Sequence, residues 1–304
     1  MPQLRAFTGG SEESSSPVLP PEIEREIFEV AAQIPGNATT LALVARRTQI
    51  WMERIIYETV TLSSPNLTAR FLTALDSRPA QFFTELVKSL CIPGDIPLQS
   101  AIRVLQACQG VVNLALWLPL QATPLLPYIG NIRPRRLSVN VSGLFGAKNP
   151  LQLEHKQQDD TSTPDFTHPF FSCVTHLELV DWLLPLFLSN STLNLPLLAP
   201  HLTHLALDVD PCVDASALVR LRVQSILRSC RSLVICLGVV DDDDTMIVAC
   251  DELSEVSRDD PRLVILSDAD VVTSWEDSVR GTDASIWAFA EDIVSARIGK
   301  KLKL

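Results

Sequence analysis

The amino-acid sequence predicts an α/β fold: an irregular solenoid of the leucine-rich-repeat kind, with parallel strands and intervening helices. The first observation is a repeat, because V-T-H-L-E-L-V at 174–180 returns as L-T-H-L-A-L-D at 202–208. The second is that weaker copies recur every 23 to 40 residues, near the roughly 20–29-residue period of leucine-rich repeats. The anchor leucines of these copies are Leu90, Leu114, Leu137, Leu177, Leu205, Leu233 and Leu263. Such units bury their apolar faces only by stacking on one another.

Composition and charge restrict the class of protein. The 304 residues are 46% hydrophobic and 20% charged, which is typical of an ordered globular protein. The net charge of −11 argues against nucleic-acid binding, because phosphate contacts require clustered Lys and Arg. The sequence shows no secretory signal, and prolines interrupt its most apolar region, 111–129. We therefore expect no nucleic-acid or membrane partner, a cytoplasmic or nuclear location, and seven cysteines that are reduced and mostly buried.

The N-terminal part divides into two segments. Residues 1–17 are rich in Gly, Ser and Glu and are predicted to be disordered. Residues 18–62 predict three short helices followed by a strand-like segment. Pro20 and Pro21 stand at the entry of the first helix, where a missing N–H costs nothing. Ile23, Ile27 and Val30 then follow at i, i+4 and i+7, so one stripe of this helix is apolar.

The remaining residues, 63–304, predict the repeat domain. The polar segment 141–169 explains the longest gap between repeats as a surface insertion. Residues 283–298 predict a last helix that closes the far end of the domain. Strands near Leu233 and Leu263 are apolar on both faces, with Val234, Cys236, Val264 and Leu266 opposite the anchors, so we expect this C-terminal helix to cover them.

Several residues were considered for metal binding or catalysis. His201 and His204 form H-x-x-H, and His176 and Asp208 could complete a metal set, but the repeat itself accounts for His176 and His204. Strand neighbours lie about 4.8 Å apart, so these two imidazoles are expected to be adjacent. The acidic run 241–244 is expected to cap a helix and to be solvated. We expect no metal and no cofactor.

An enzyme is the most distant alternative. Asp268 and Asp270 follow a strand, as in many α/β enzymes, yet no strand precedes a glycine-rich phosphate loop and no nucleophile motif occurs. We therefore expect no catalytic site.

A binding surface is predicted on the concave strand face, opposite the anchor leucines. Side chains alternate along a strand, so these positions point away from the core. The strip is mostly polar and includes one tryptophan, a residue type common in binding hot spots. Whether Trp117 is exposed or packs under residues 119–127 is open. The candidate client-binding residues are Trp117, Asn140, His176, Glu178, His204 and Asp208.

The N-terminal helices resemble a known family. L-P-x-E-I-x-x-x-I-F at 19–28, L-A-L-V-A-R-R at 41–47 and Trp51 resemble the F-box, a module that docks on the small adaptor subunit of cullin–RING ubiquitin ligases. The whole chain is similar to F-box-like proteins of mushroom-forming fungi. The resemblance implies a substrate receptor of an SCF-type ligase, without catalysis of its own, that presents an unknown client protein. The implied adaptor-binding residues are Leu19, Pro20, Ile23, Ile27, Leu41 and Val44.

A second interpretation remains open. The three helices could instead cap the solenoid of a ligase-independent interaction scaffold, since solenoids require a cover over their first repeat. Burial distinguishes the two interpretations: adaptor docking requires part of the stripe from Leu19 to Ile27 to be exposed, whereas a cap would bury all of it.

Overall fold

The computed structural model describes residues 19–34, 36–118, 122–145, 168–180, 201–208, 216–240, 247–267, 270–282 and 284–301. The chain divides into two compact units, Met1–Ile56 and Tyr57–Leu304. The predicted disordered segment 1–17, most of the insertion 141–169, the acidic run 241–244 and Asp268 lie outside the described residues.

Three helices make up the described part of the first unit: α1 (Pro21–Ala31), α2 (Asn37–Leu41) and α3 (Arg46–Glu58), whose last residues pass the boundary of the unit. Pro21 begins α1, and Glu22 and Glu24 lie in its first turn, where the helix dipole favours acidic side chains. Gly36 precedes α2 with φ of 84°, a conformation that side chains disfavour. Two contacts join α1 to α3: Glu24 accepts a hydrogen bond of 2.5 Å from Arg47, and the rings of Phe28 and Trp51 lie 6.3 Å apart.

A single parallel sheet organises the second unit. Its eight strands follow one another in chain order, as they do when each connection returns the chain to the neighbouring position. This arrangement is consistent with the predicted solenoid. The strands are β1 (Thr59–Thr61), β2 (Ser89–Ile92), β3 (Asn113–Leu116), β4 (Arg136–Val139), β5 (His176–Leu179), β6 (His204–Asp208), β7 (Ile235–Val240) and β8 (Leu263–Ser267). β1 pairs with β2, so the strand-like segment predicted at the end of 18–62 is the first strand of the sheet.

The register of the sheet aligns the repeats and shows that one anchor residue was predicted at the wrong position. Leu90, Leu114, Leu137, Leu177 and Leu205 occupy equivalent positions on successive strands, as the sequence predicts. The equivalent residues on the last two strands are Cys236 and Leu263, so Leu233 is the wrong anchor for β7. The repeat has a second buried apolar position three residues before the anchor, and Leu233 occupies that position. Val87, Val111, Val174 and Leu202 occupy this position in four other repeats, whereas Pro134 stands there before Leu137 and the half-buried Asp260 before Leu263.

Helices and short turns connect the strands on one face of the sheet. The described helices of these connections are α4 (Pro65–Ser77), α5 (Ala80–Leu86), α6 (Leu98–Ala107), α7 (Leu126–Ile129), α8 (Val141–Phe145), α9 (Ser216–Ser229) and α10 (Ile247–Asp259). Short 3₁₀ helices occur at Thr123–Leu125 and Pro169–Phe171. The main hydrophobic core lies on this face and contains the anchor residues together with the next-but-one strand residues, such as Ile92 and Leu116.

Two C-terminal helices, α11 (Val271–Arg280) and α12 (Ile286–Lys301), pack on the other face of the sheet. We call this the second face; its strand residues include Cys91, Ala115, Ser138, Glu178 and Ala206. Asp270 caps α11 by accepting a hydrogen bond of 3.2 Å from Thr273 N, and Gly281 ends it with φ of 67°. The predicted last helix, 283–298, corresponds to α12.

The second face carries two small hydrophobic clusters. Trp275 of α11 packs with Cys91 and Ala115, next to Trp117 and Val279. Trp287, Ala290 and Val294 of α12 pack on strands β6 to β8. The expectation that a C-terminal helix covers the last strands is confirmed by these contacts. The prediction that Val234 and Cys236 are the covered residues of β7 is wrong by one position, because Ile235 and Leu237 face α12 while Cys236 lies in the main core.

Candidate functional site: two protein-binding surfaces

The first candidate surface is an exposed apolar stripe that runs along α1 and the residues on either side of it. The side chains of Leu19, Ile23 and Ile27 are 51%, 45% and 52% exposed. Val30 and Ile34 continue the same stripe and are also exposed. A helix of a globular protein normally turns such a stripe towards its core, so large exposed apolar patches mark binding sites.

The other predicted adaptor-binding residues are arranged around this stripe with different exposure. Pro20 and Val44 are exposed, whereas Leu41 is half-buried. Sequence reasoning missed Leu43, which at 86% is more exposed than Leu19, Ile27 or Val44. It also missed Ile34, although the i, i+3/i+4 spacing that continues from Ile27 through Val30 would have indicated it.

Little apolar surface of the first unit is buried. Among its described residues, the only buried apolar side chains are Ala32 and Met52, and Thr48 is buried beside them. Thr48 makes local hydrogen bonds at the start of α3, with its Oγ1 accepting from Ala45 N at 2.9 Å. The large apolar side chains in the described part of this unit are thus mostly half-buried or exposed.

The second candidate surface is the strip on the second face of the sheet, where five of the six predicted client-binding residues lie. His176 and His204 are stacked, with ring centroids 4.0 Å apart and planes 2° apart, so the prediction that they are neighbours is confirmed. Equivalent positions on β5 and β6 bring them together. Glu178 is half-buried on β5. Trp117, which directly follows β3, donates a 2.7 Å hydrogen bond from Nε1 to Ser138 Oγ.

Asn140 lies just past the end of β4, and Asp208 ends β6 on the same face as His204 and Ala206. Asn140 caps α8, because its Oδ1 accepts a hydrogen bond of 2.6 Å from Gly143 N. Asp208 is half-buried at the end of β6. Asn140 therefore has a structural role at a helix start, which its position directly after β4 explains.

The C-terminal helices cover this strip. Trp287 of α12 meets both imidazoles edge-on, with centroid distances of 5.4 Å to His176 and 5.5 Å to His204. One turn later, Glu291 Oε1 lies 3.0 Å from His204 Nε2. Trp117 packs beside the Trp275 cluster of α11. The strip is thus not a free surface in this structure, which sequence reasoning did not foresee, because it assigned the last helix to the end of the domain.

The electrostatic setting of the strip favours neutral histidines. Burial, the neighbouring His204 and the Arg136 guanidinium together lower the pKa of His176 to about 3. Burial also lowers the pKa of His204, although Glu291 opposes this shift. A neutral His204 can donate its Nε2 proton to the Glu291 carboxylate, which only accepts. Burial lowers the pKa of Arg136, whose guanidinium donates to the carbonyl of Ser278 on α11.

The positions considered for metal binding or catalysis have the following settings. His201 is exposed at the turn before β6. Within the described ranges, no three His, Cys, Asp or Glu side chains converge as a metal site would require. Asp270 is engaged as the cap of α11. No helix in the described part of the chain is both long and apolar enough to cross a bilayer.

Neither the protein-family models nor the curated proteins compared with this chain match it.

Proposed function

We propose that the protein is an interaction subunit that docks through the first unit on the small adaptor of a cullin–RING ubiquitin ligase and holds a client protein with the second unit. The single observation that carries this proposal is the exposure of the stripe formed by Leu19, Ile23 and Ile27. A solenoid cap would bury these side chains, whereas a docking helix must present them. Val44, also implied in docking by the resemblance to F-boxes, is exposed as well.

Energetics support a partner for this stripe. Fully burying an exposed Leu or Ile side chain stabilises an assembly by roughly 1.5–3 kcal/mol, and Leu19, Ile23 and Ile27, being about half exposed, would each contribute about half of that. Ile23, Ile27 and Val30 on α1, with Leu19 just before the helix and Ile34 just after it, therefore provide apolar surface for contact with a groove. The proposed mechanism needs no catalytic group, because tethering a client beside the ligase raises its effective concentration.

Co-expression with the ligase adaptor of the same host tests this proposal. We expect a complex that survives purification of the wild-type chain. The double variant Ile23→Asp/Ile27→Asp should lose it, because two carboxylates would have to be buried in the interface. Leu221→Asp is the matched control, since Leu221 is 59% exposed on α9 of the second unit.

Two outcomes would contradict the proposal. One is the absence of a complex with well-folded wild-type protein. The other is an adaptor complex that tolerates Ile23→Asp/Ile27→Asp as well as it tolerates Leu221→Asp. Circular dichroism of each variant establishes folding, and the substituted side chains are exposed, so a loss of secondary structure is not expected.

A further inference from the structure

We propose that the second face of the sheet is a receptor for an amphipathic helix, and that α12 occupies it as an intramolecular stand-in for a helix of the client. The external helix would carry an aromatic side chain followed one turn later by a carboxylate, matching Trp287 and Glu291. This inference rests on the proposed function only in naming the client as the source of the helix.

The main core is complete without the C-terminal helices. Its described members extend from Val60 to Leu263 and include none from 270–301. The residues of α11 and α12 form two separate clusters on the opposite side of the sheet. Detaching α12 would therefore expose the second face and leave the main core buried.

The junction between the sheet and these helices has the composition of a binding interface. Half of the eight buried polar residues in the described part of the chain lie in this junction: Ser138, His204, Ser278 and Ser285. Arg136 and Glu178 line a narrow cleft there, between the strands and the two tryptophans Trp275 and Trp287. Interfaces that open are more polar than cores, because both surfaces must also be stable in water.

Packing at the junction is also incomplete. Ser274 Oγ on α11 is buried at the cleft without a hydrogen-bond partner. A buried unpaired polar group costs about 1–3 kcal/mol, so this contact is weaker than a fully satisfied one. A competing helix that supplies a hydrogen-bond partner in the cleft would bind more tightly than α12 does.

The chemistry of the receptor defines what it accepts. The stacked His176 and His204 rings present their edges and faces to one aromatic ring, here that of Trp287 at 5.4 and 5.5 Å. Nε2 of His204 requires an acceptor, here Glu291. Beyond them, Ala206, Ile235 and Leu237 form an apolar floor for the next turns of a helix. An aromatic and an acidic residue at i and i+4, followed by small or aliphatic residues, satisfy all three requirements.

A labelled peptide of residues 284–301 is the probe, offered in trans to the full chain. In the wild type, α12 competes at the millimolar effective concentration typical of a short tether, so the peptide should bind weakly. In the full-chain variants Trp287→Ala and Glu291→Lys the resident helix is weakened, and we expect the peptide to bind at least tenfold more tightly than to the wild type. A peptide that itself carries Trp287→Ala should not bind.

Phe289→Ala in the full chain is the matched control, because Phe289 lies on the same helix and is 55% exposed. It should behave as the wild type does. Hydrogen exchange of the α12 amides gives a second measurement, which should accelerate in Trp287→Ala and Glu291→Lys and not in Phe289→Ala.

Three outcomes would overturn the inference: equal peptide binding by wild type and variants, unchanged exchange of α12 in both variants, or global unfolding of both. Glu291→Lys is the milder of the two variants, because the Glu291 side chain is 53% exposed, and it therefore separates loss of the α12 contact from unfolding of the protein. The ligase adaptor takes no part in these measurements, so their failure is distinguishable from failure of the docking proposal.

Discussion

At the scale of single residues, the sequence repeat explains why His176 and His204 are stacked. T-H-L-x-L occurs twice in the sequence, and the parallel register places the two histidines side by side. Their partners Trp287 and Glu291 come from a helix more than 80 residues later, so no local pattern could have named them.

Acid should weaken the fold through His176. Its pKa is near 3 in the folded protein and 6.5 ordinarily, so the folded state prefers the neutral ring. The stability that the neutral ring adds to the folded state is fully present above pH 6.5. It is lost progressively as the pH falls from 6.5 towards 3. The groups that face the ring are Arg136 on β4, Glu178 on its own strand, His204 on β6 and Glu291 on α12.

Urea unfolding of the wild type and of His176→Gln measures this effect. Between pH 7 and pH 5 the wild type should lose on the order of 1–2 kcal/mol more unfolding free energy than the variant, which has no imidazole to protonate at this position. Equal losses in the two proteins would show that the ring does not resist protonation.

The cysteines should differ sharply in reactivity. Burial raises the pKa of the Cys108 and Cys236 thiols to about 12, whereas Cys173 is exposed. Since the thiolate is the reactive form, iodoacetamide at pH 8 should modify Cys173 and spare Cys108 and Cys236 in the native protein. Peptide mass spectrometry identifies the alkylated cysteines. Labelling in urea is the control, because all cysteines should react in the unfolded protein. Early modification of Cys108 or Cys236 would contradict their burial. The expectation that most cysteines are buried is met by Cys91, Cys108, Cys230 and Cys236, and Cys173 is the exposed one among the five whose burial the structure describes.

At the scale of elements, most strands could be predicted because the repeat marks them. The misplaced anchor Leu233 has a simple cause: most repeats bury an apolar residue at the anchor and another three residues earlier. Where Cys takes the anchor position, as at Cys236, the earlier Leu is the more conspicuous of the two.

Gly110 fixes the approach of the segment after α6 to α5. A Cβ at this position would overlap the carbonyl oxygen of Thr84 and lie 3.1 Å from the carbonyl carbon. Both atoms belong to the backbone, so relief requires moving a helix. We expect Gly110→Ala to lower the unfolding free energy by about 2–4 kcal/mol, as severe overpacking does.

The control for this substitution is Gly299→Ala in α12, where an added Cβ meets no atom within 4 Å. Alanine is the better helix former, so this variant should gain about 0.5–1 kcal/mol. Chemical denaturation measures the unfolding free energy of both variants. A Gly110→Ala protein as stable as the wild type would contradict the close approach of Gly110 to the backbone of Thr84.

At the scale of the whole molecule, the second unit is a sheet with two unequal apolar layers. The main core holds the aromatic cluster of Tyr57, Phe71, Phe82 and Phe83, in which the Phe83 ring makes edge contacts with its three neighbours at centroid distances of 4.9 to 5.3 Å. The layer beneath α11 and α12 is smaller and more polar.

A Phe→Ala substitution in the main core and one on the exposed side of α12 should differ in their effect on the unfolding free energy. Phe83→Ala removes a fully buried ring and is expected to cost about 3–5 kcal/mol of unfolding free energy. Phe289→Ala removes an exposed ring and should change it by less than about 0.5 kcal/mol. Urea titrations followed by circular dichroism measure both, and similar values for the two variants would contradict the assigned burial.

The sequence by itself determined the parallel strands, the alternation of buried and outward side chains along them, and the apolar stripe of α1. These features follow from local periodicity, which repeats within a few residues and is legible in one segment at a time. Only the tertiary structure decided that the stripe on α1 is exposed and that α11 and α12 lie across the predicted client-binding strip. Both outcomes depend on which surfaces meet after the chain has folded, and Trp287, Glu291 and the histidines they contact are too far apart in sequence for any local pattern to connect them.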